Sequence, residues 1–171
     1  MAIDSKQVIN LLLERFEGHL GNVEESYGMN TIQVKRSHIF EVIQYLKEEQ
    51  SFILLTDVTA IHFPDYDPEM RFAVVYHIHN LFENIRLRLR VFLPEGNPEI
   101  DSMTPLFASA NWQEREAYDF FGVIFKNHPN LKRILNMDEM EIFPLRKEYP
   151  MEDGGRVDID DRFFGRSIHN E

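Results

Sequence analysis

The sequence predicts a single domain of the α/β (α+β) class, with a small, mostly antiparallel sheet flanked by helices and an extended irregular C-terminal arm. Two segments space their apolar residues as amphipathic helices do, a third has the cap and first-turn residues of a helix, and one segment alternates apolar and charged residues with the period of a strand. The 171 residues fit one core, and a hydrophobic content of 43% with 14 Phe supplies its apolar surface. We expect an α/β domain over residues 1–122, an irregular segment over 123–150 packed on it, and an arm over 151–171.

Two helices are expected in the first 50 residues. Apolar residues three and four apart predict the first over residues 5–17, with Ser5 as its N-cap and Gly18 and Gly21 ending it. The second is expected over residues 37–50. Its predicted buried stripe consists of Ile39, Ile43 and Leu46.

Four strands are expected, over residues 30–35, 52–61, 71–79 and 84–93. The last alternates Ile and Leu with Arg, and with its predecessor it forms a predicted hairpin that turns at Asn80–Glu83. Leu81 and Phe82 are unusual residues for a turn. Their exposure would indicate a docking contact.

A third helix is expected to begin at Thr104 and Pro105, which resemble a cap and a first-turn proline, and to end near Phe120 before Gly122. Three prolines and dense charge over residues 128–150 predict irregular backbone. The arm over 151–171 has few large apolar residues, so we do not expect it to pack on itself.

Composition excludes several classes of function. A net charge of −11 without a cluster of Lys and Arg argues against nucleic-acid binding. The absence of Cys excludes a disulfide, a thiolate-bound iron-sulfur cluster and a Cys nucleophile. No secretory signal and no apolar run near the roughly 20 residues of a spanning helix are present, which predicts a cytosolic chain held at any membrane by its neighbours.

Histidines provide one candidate metal site. His77 and His79 lie two apart on a predicted strand and so share a face, and His62 with Asp65 could complete a zinc site. The alternative is that these are polar-face histidines of a partly exposed strand.

Carboxylates on the third helix provide a candidate acid–base site. Glu116 and Asp119 share a helical face, Glu114 points away from Glu116, and Arg115 lies among them. We expect structural ion pairs here instead of catalysis, because acid–base work needs two carboxyl groups facing one substrate. No nucleophile elbow or phosphate-binding glycine loop is present either.

A row of arginines, Arg86, Arg88 and Arg90, gives one strand a cationic face in an acidic chain. Most such rows are solvated. The functional alternative is a docking face for an acidic partner.

The stretch from Asn111 to Pro150 carries a dense motif: Glu-Arg-Glu, then Tyr-Asp-Phe-Phe-Gly, His-Pro, Arg-Ile and finally Pro-Leu-Arg-Lys. At these spacings it resembles the 30 kDa (C) subunit family of NADH:quinone oxidoreductase, respiratory complex I. Ile142 and Phe143 stand where many members have Gly and His, and Met140 replaces an aromatic. The motif positions are Glu114, Arg115, Glu116, Asp119, Gly122, Phe125, His128, Pro129, Arg133, Ile134, Pro144, Leu145, Arg146 and Lys147.

The resemblance implies a structural member of the peripheral arm, on the cytoplasmic face of the inner membrane. It implies no cofactor on this chain, whereas neighbours carry iron-sulfur clusters, FMN and the quinone site. The implied partners are the quinone-site (D) subunit and the terminal-cluster (B and I) subunits. The alternatives are an equivalent subunit of a membrane-bound hydrogenase or another dehydrogenase complex, and a free-standing metalloenzyme using the histidines.

The charges of this segment indicate internal or intermolecular pairing. Residues 111–150 hold seven acidic and six basic residues, a net charge of −1. An irregular segment with many polar groups must satisfy them against its own domain or another protein. We expect Glu116 and Arg146 in buried ion pairs, and we expect the arm, with Phe163 and Phe164, to wrap a partner.

Overall fold

The N-cap of the first helix lies one residue earlier than predicted. In the computed structural model, which describes residues 4–149, helix α1 spans Ser5–Arg15 and Asp4 is its N-cap. The Asp4 backbone N–H donates to the Gln7 side chain at 3.3 Å, which completes half of a capping box that Ser5 could not form from inside the helix. Val8, Ile9 and Leu12 form its buried face.

Five strands form the main sheet, in the order β1-β2-β5-β4-β3. Within this sheet only β2 and β5 run parallel, so the predicted class and mostly antiparallel sheet are confirmed. The strands are β1 (Leu20–Ser26), β2 (Met29–Val34), β3 (Leu54–His62), β4 (Phe72–Asn80) and β5 (Ile85–Leu93). The β4–β5 hairpin is as predicted, with Leu81 and Phe82 exposed in its turn.

Strand β1 was not predicted. Six of its seven residues are exposed, because it is the edge strand beside β2 and has no apolar face to bury. A strand of this kind lacks the apolar alternation on which sequence-based recognition depends.

Helix α2 (Ile39–Glu49) follows one turn of 3-10 helix and buries the predicted stripe. It packs with α1 against one face of the sheet in a single core. The largest fully buried side chains of that core include Phe52, Phe72 and Tyr76.

Helix α3 (Ala110–Phe121) begins five residues after the predicted start, with Ser109 in place of Thr104 as its N-cap. Residues 104–109 form separate turns, in which the backbone N–H groups of Leu106 and Phe107 both donate to the Met103 carbonyl. The Met103 N–H donates to the Glu114 side chain. The predicted end is confirmed, since Gly122 adopts a left-handed conformation with φ of 77°.

The predicted irregular segment begins with a short strand. β7 (Ile124–Lys126) pairs in parallel with β6 (Glu99–Asp101), so the segment starts as part of the domain. Residues 127–149 contain no helix or strand, as predicted. The predicted arm over 151–171 lies outside the described residues. None of the helices within residues 4–149 is long and apolar enough to cross a membrane.

Candidate functional site

The irregular segment is held to α3 by one buried carboxylate. Asp119 is 0% exposed, and it accepts five hydrogen bonds from the segment. Its Oδ2 binds three consecutive backbone N–H groups, those of Ile134, Leu135 and Asn136, at 2.8–3.0 Å. The Oδ1 atom accepts from Arg133 at 2.8 Å and from the Asn136 side chain at 3.1 Å.

These contacts keep Asp119 ionised. Burial alone would raise its pKa, but the Asn136 N–H, the Arg133 guanidinium and the neighbouring N–H groups outweigh burial and hold the pKa well below its usual range. A carboxylate of this kind is committed to structure, because it has no exposed oxygen and no tendency to take up a proton near neutrality.

Arg133 closes the segment on itself. Its guanidinium binds the Asp119 carbonyl at 2.8 Å and the carbonyls of Met140 and Ile142, and it lies 5.0 Å from the centre of the Phe143 ring. The stretch between Arg133 and these carbonyls is therefore a compact loop, although it has no regular ladder.

Arg115 binds the beginning of the same loop. It donates to the carbonyls of Lys132 at 3.1 Å and Arg133 at 2.9 Å, and its guanidinium packs over the Trp112 ring at 5.3 Å. Thus α3 supplies one anion and one cation, and both bind the backbone of the segment.

Gly122, Phe143 and Arg146 are packed against one another. Arg146 donates to the Phe121 carbonyl at 2.7 Å, and its guanidinium lies between the rings of Phe143 and Phe72, 4.6 and 5.0 Å from their centres. A Cβ atom on Gly122 would stand 2.5 Å from Arg146 and 2.7 Å from Phe143. Glycine is therefore needed both for the helix end and for the approach of the segment.

Two histidines complete the attachment. His62 accepts the Lys147 backbone N–H on Nδ1 at 3.0 Å, and His128 accepts the Asn130 N–H on Nδ1 while its Nε2 contacts the Asn111 carbonyl at 3.1 Å. Burial lowers the pKa of both imidazoles, which keeps them neutral and able to accept.

Glu114 is a buried carboxyl group of a different kind. It is 0% exposed and accepts from the Ser102 hydroxyl and the Met103 N–H, each at 2.6 Å, but no cation within the described residues binds it. Burial raises its pKa to about 7, against the two hydrogen bonds. The prediction of a carboxylate neutralised by arginine therefore holds for Asp119 and fails for Glu114.

Two expected ion pairs are absent from the part of the chain that the structure describes. Glu116 is exposed on α3, so the predicted buried pair does not form within this chain. Arg146 is also not in a buried ion pair. Its acidic neighbour Glu148 lies 3.8 Å away on the surface, and its main contacts are the two rings and a carbonyl.

The candidate metal ligands do not come together. His62 lies opposite Phe72 in the β3–β4 register, five residues along β4 from His77, about 16 Å at the rise of a strand. His77 instead contacts Arg88 at 2.9 Å and Asp57 at 3.5 Å. Residues 4–149 contain no group of three or more His, Asp or Glu side chains that could hold a metal ion.

The arginine row is largely satisfied within the chain. Arg90 pairs with Glu24 at 3.3 Å, and Arg88 binds His77 and approaches Thr31 at 3.4 Å. Arg86 is exposed. The row therefore does not present three free charges to a partner.

The fixed segment and α3 carry several large apolar side chains on the surface. We call five of them the segment patch: Trp112 (61% exposed), Leu135 (66%), Met137 (70%), Ile142 (42%) and Leu145 (49%). Their backbone is held by buried hydrogen bonds, as for Leu135 on Asp119, so the exposure is not the result of a loose loop. Exposed apolar groups presented in this way are typical of protein–protein contacts.

The remaining motif residues have structural positions. Phe125 is buried in β7, Pro144 is half-buried, and Pro129 and Lys147 are exposed.

Sequence reasoning missed two residues of the site. Phe143 packs on Arg133 and Arg146 although it departs from the family pattern, and Asn136 binds Asp119. Sequence reasoning also considered His62 only as a candidate metal ligand. No spacing signal could have linked His62 to Lys147, 85 residues away.

Comparison with known proteins gives a consistent result. Residues 32–154 match the sequence profile of the family described as the respiratory-chain NADH dehydrogenase 30 kDa subunit. The C subunit of NADH-quinone oxidoreductase from Citrifermentans bemidjiense is 45% identical over 152 residues, covering 89% of this chain and 92% of the relative. The protein of the same name from Geobacter metallireducens is 42% identical over 158 residues, with 91% and 95% covered.

Solved structures share the fold. A trypsin-resistant fragment (1–134) of Nqo5 superposes with a TM-score of 0.64 at 33% identity, covering 72% of this chain and 99% of the fragment. A polypeptide of an archaeal membrane-bound sulfane sulfur reductase, a respiratory membrane complex, gives a TM-score of 0.72 at 21% identity, with 85% of each chain covered.

Proposed function

The chain belongs to the family of the 30 kDa subunit of respiratory-chain NADH dehydrogenase, and from this premise we propose that it has a structural and assembly role without catalysis of its own. It helps to hold together the quinone module in the peripheral arm of a proton-translocating NADH:quinone oxidoreductase. Electrons pass from NADH through iron-sulfur clusters of neighbouring subunits to quinone, and this chain binds no cofactor.

The observation that carries the proposal is the segment patch on a rigid base. The segment is fixed by hydrogen bonds with three charged side chains, those of Asp119, Arg133 and Arg115. Because these bonds occupy the charged groups, none of the three is free to bind a substrate. A surface fixed in advance loses little conformational entropy on binding, which favours a permanent contact.

The chemistry of this surface also supports a protein partner. Exposed apolar residues alternate with exposed acids, such as Asp138 and Glu139 beside Met137. We propose that the patch packs on the neighbour that forms the quinone site and on the neighbours that carry the terminal iron-sulfur clusters. The chain would thereby be held at the cytoplasmic face of the inner membrane as a peripheral protein.

A second candidate is the equivalent position in a related membrane-bound complex. This second candidate is included because the fold also occurs in a polypeptide of the sulfane sulfur reductase, a respiratory membrane complex that is not named as an NADH dehydrogenase. Hydrogenases and dehydrogenases with another electron donor belong to the same alternative. Neighbouring genes for flavin- and NADH-binding subunits would support complex I, and genes for a nickel-iron centre would support a hydrogenase.

The experiment that tests the proposal is purification of the full-length chain, tagged, from its native membrane, with its partners identified by mass spectrometry. We expect the quinone-site and terminal-cluster subunits together with NADH-binding subunits in fixed stoichiometry. Recovery of the chain alone, or with the subunits of a hydrogenase, would contradict complex I membership.

A further inference from the structure

Two turns at one end of the sheet present a second apolar surface. Because β2 and β5 run parallel, with Asn30 opposite Leu87, the turns that precede these two strands lie at the same end of the sheet. They carry Tyr27, which is fully exposed, Leu81 (51%) and Phe82 (75%), and we call these three the hairpin-tip surface. A cleft of about 590 Å³ separates the two turns beside the beginning of α1.

The β4–β5 turn is held in a fixed shape. The buried Asn80 side chain accepts the backbone N–H groups of Phe82 and Glu83 at 2.9 and 3.1 Å and donates to the Gln50 carbonyl at 2.9 Å. This anchor ties the turn to the end of α2. Leu81 and Phe82 are therefore exposed on a turn of fixed conformation.

Tyr27 occupies a conformation that suits other residue types. Its φ is 53° and that of Gly28 is 73°, the left-handed region in which Gly, Asn and Asp are favoured at a hairpin turn. An aromatic residue there costs backbone free energy, and no packing among the described residues offsets that cost, because the side chain is fully exposed. An unfavourable backbone with an unburied ring points to a contact outside the chain.

We propose that the hairpin-tip surface docks into an apolar pocket of a neighbouring protein, and that this pocket is rimmed by Lys or Arg. Asp4, Glu83 and Arg86 line the cleft together with Tyr27. Exposed Glu25 lies two residues before Tyr27 and exposed Lys6 two residues after Asp4, so carboxylates outnumber cations by three to two. An acidic rim is repelled by an anionic lipid surface. A second copy of the chain would set carboxylates against carboxylates, whereas a basic rim is complementary.

This surface is separate from the segment patch. Phe72, which lies beneath Arg146, and Asn80, at the tip, are the two ends of β4, about 26 Å apart at the rise of a strand. The hairpin tip and Arg146, which follows Leu145 of the segment patch, therefore lie at opposite ends of β4. Docking at the tip goes beyond the proposed function, which requires only the segment patch.

Site-specific cross-linking in the assembled complex tests the inference. A photoreactive benzoylphenylalanine replaces Phe82 or Tyr27 in the full chain, the complex is purified from its native membrane and irradiated, and the linked residues are mapped by mass spectrometry. We expect both positions to link to one other protein of the complex, at apolar residues flanked by Lys or Arg. The same probe at Glu17, an exposed residue beyond α1, is the control.

Each other outcome overturns the inference: a link to a second copy of this chain, a link to lipid, or a yield no higher than at Glu17. A parallel probe at Leu135 reports on the segment patch. Links from Leu135 without links from Phe82 would contradict docking at the hairpin tip and leave the proposed function intact. Links from Phe82 without links from Leu135 would support docking at the tip and contradict the role proposed for the segment patch.

Two variants give an independent readout. Tyr27→Asn suits the left-handed backbone, so the free chain should keep or gain stability while the linked neighbour is recovered with it roughly tenfold less, the loss expected for about 1.4 kcal/mol of binding free energy. Glu83→Lys should also lower that recovery, and Glu17→Lys, the same change of charge elsewhere, should not. Native recovery for Tyr27→Asn and Glu83→Lys would contradict docking at the tip.

Discussion

The Asp119 carboxylate and the Arg133 guanidinium meet at 2.8 Å, with side-chain exposures of 0% and 7%. The pair joins α3 to an irregular loop that has no strand or helix of its own. Buried pairs of this kind contribute little net stability compared with apolar residues, but removing one partner leaves a buried charge uncompensated.

Asp119→Asn should therefore destabilise the chain by about 3 kcal/mol. The amide cannot accept from three backbone N–H groups and the guanidinium together, so residues 127–149 should also become accessible to protease. Chemical denaturation and limited proteolysis of the full chain measure both effects. Glu116→Gln, on the same helix but exposed, should change stability by about 0.5 kcal/mol or less. Equal effects of the two variants would contradict the assignment.

Gly122→Ala should destabilise the chain more than Gly28→Ala. Both glycines have a positive φ, 77° and 73°, and so both substitutions incur a backbone cost of about 1 kcal/mol. Only at Gly122 would the new methyl group meet Arg146 and Phe143, whereas nothing lies within 4 Å at Gly28. The difference between the two unfolding free energies isolates the contact with the segment, and a difference of zero would show that this contact is unimportant.

Glu114 should make the folded state less stable as the pH rises. Its pKa is about 7 in the folded chain against an ordinary 4.5, so the folded state holds the proton more tightly than the unfolded state does. Its contribution is fully present below pH 4.5 and is lost as the pH rises to about 7, a change of about 3 kcal/mol.

Glu114→Gln removes this titration and keeps the shape of the side chain. The difference in unfolding free energy between about pH 4.5 and about pH 8 should change by about 3 kcal/mol relative to the native chain, because stability no longer falls across this range. Denaturation curves at a series of pH values measure it. An unchanged pH profile would mean that Glu114 stays ionised.

An element of this fold could be predicted from the sequence where its apolar residues recur with the period of a helix or a strand. Ile39, Ile43 and Leu46 bury one face of a helix, and β5 alternates Leu with Arg, so both could be predicted from spacing. Strand β1 could not, because an edge strand with an exposed sequence has no periodic signal. The start of α3 was misplaced because Leu106 and Phe107 close turns back to Met103 where Thr104 and Pro105 resemble the beginning of a helix.

The site was predicted as a motif but not as a set of contacts. Gly122 could be predicted as a helix end from its residue type. The binding of Asp119 to the backbone at residues 134–136 depends on a fold of irregular chain that no local pattern specifies. For the same reason Glu116 was expected in a buried pair and is exposed.

The central claim is that the segment patch joins this chain to its complex. The most direct measurement is the amount of assembled complex that contains the Leu135→Ser/Met137→Ser double variant, compared with Leu11→Ser/Leu13→Ser, two exposed leucines of α1. We predict that the segment variant keeps the stability of the free chain within about 1 kcal/mol, loses assembly, and shows normal quinone reduction in whatever complex forms. Native abundance of the complex with abolished quinone reduction would contradict the claim.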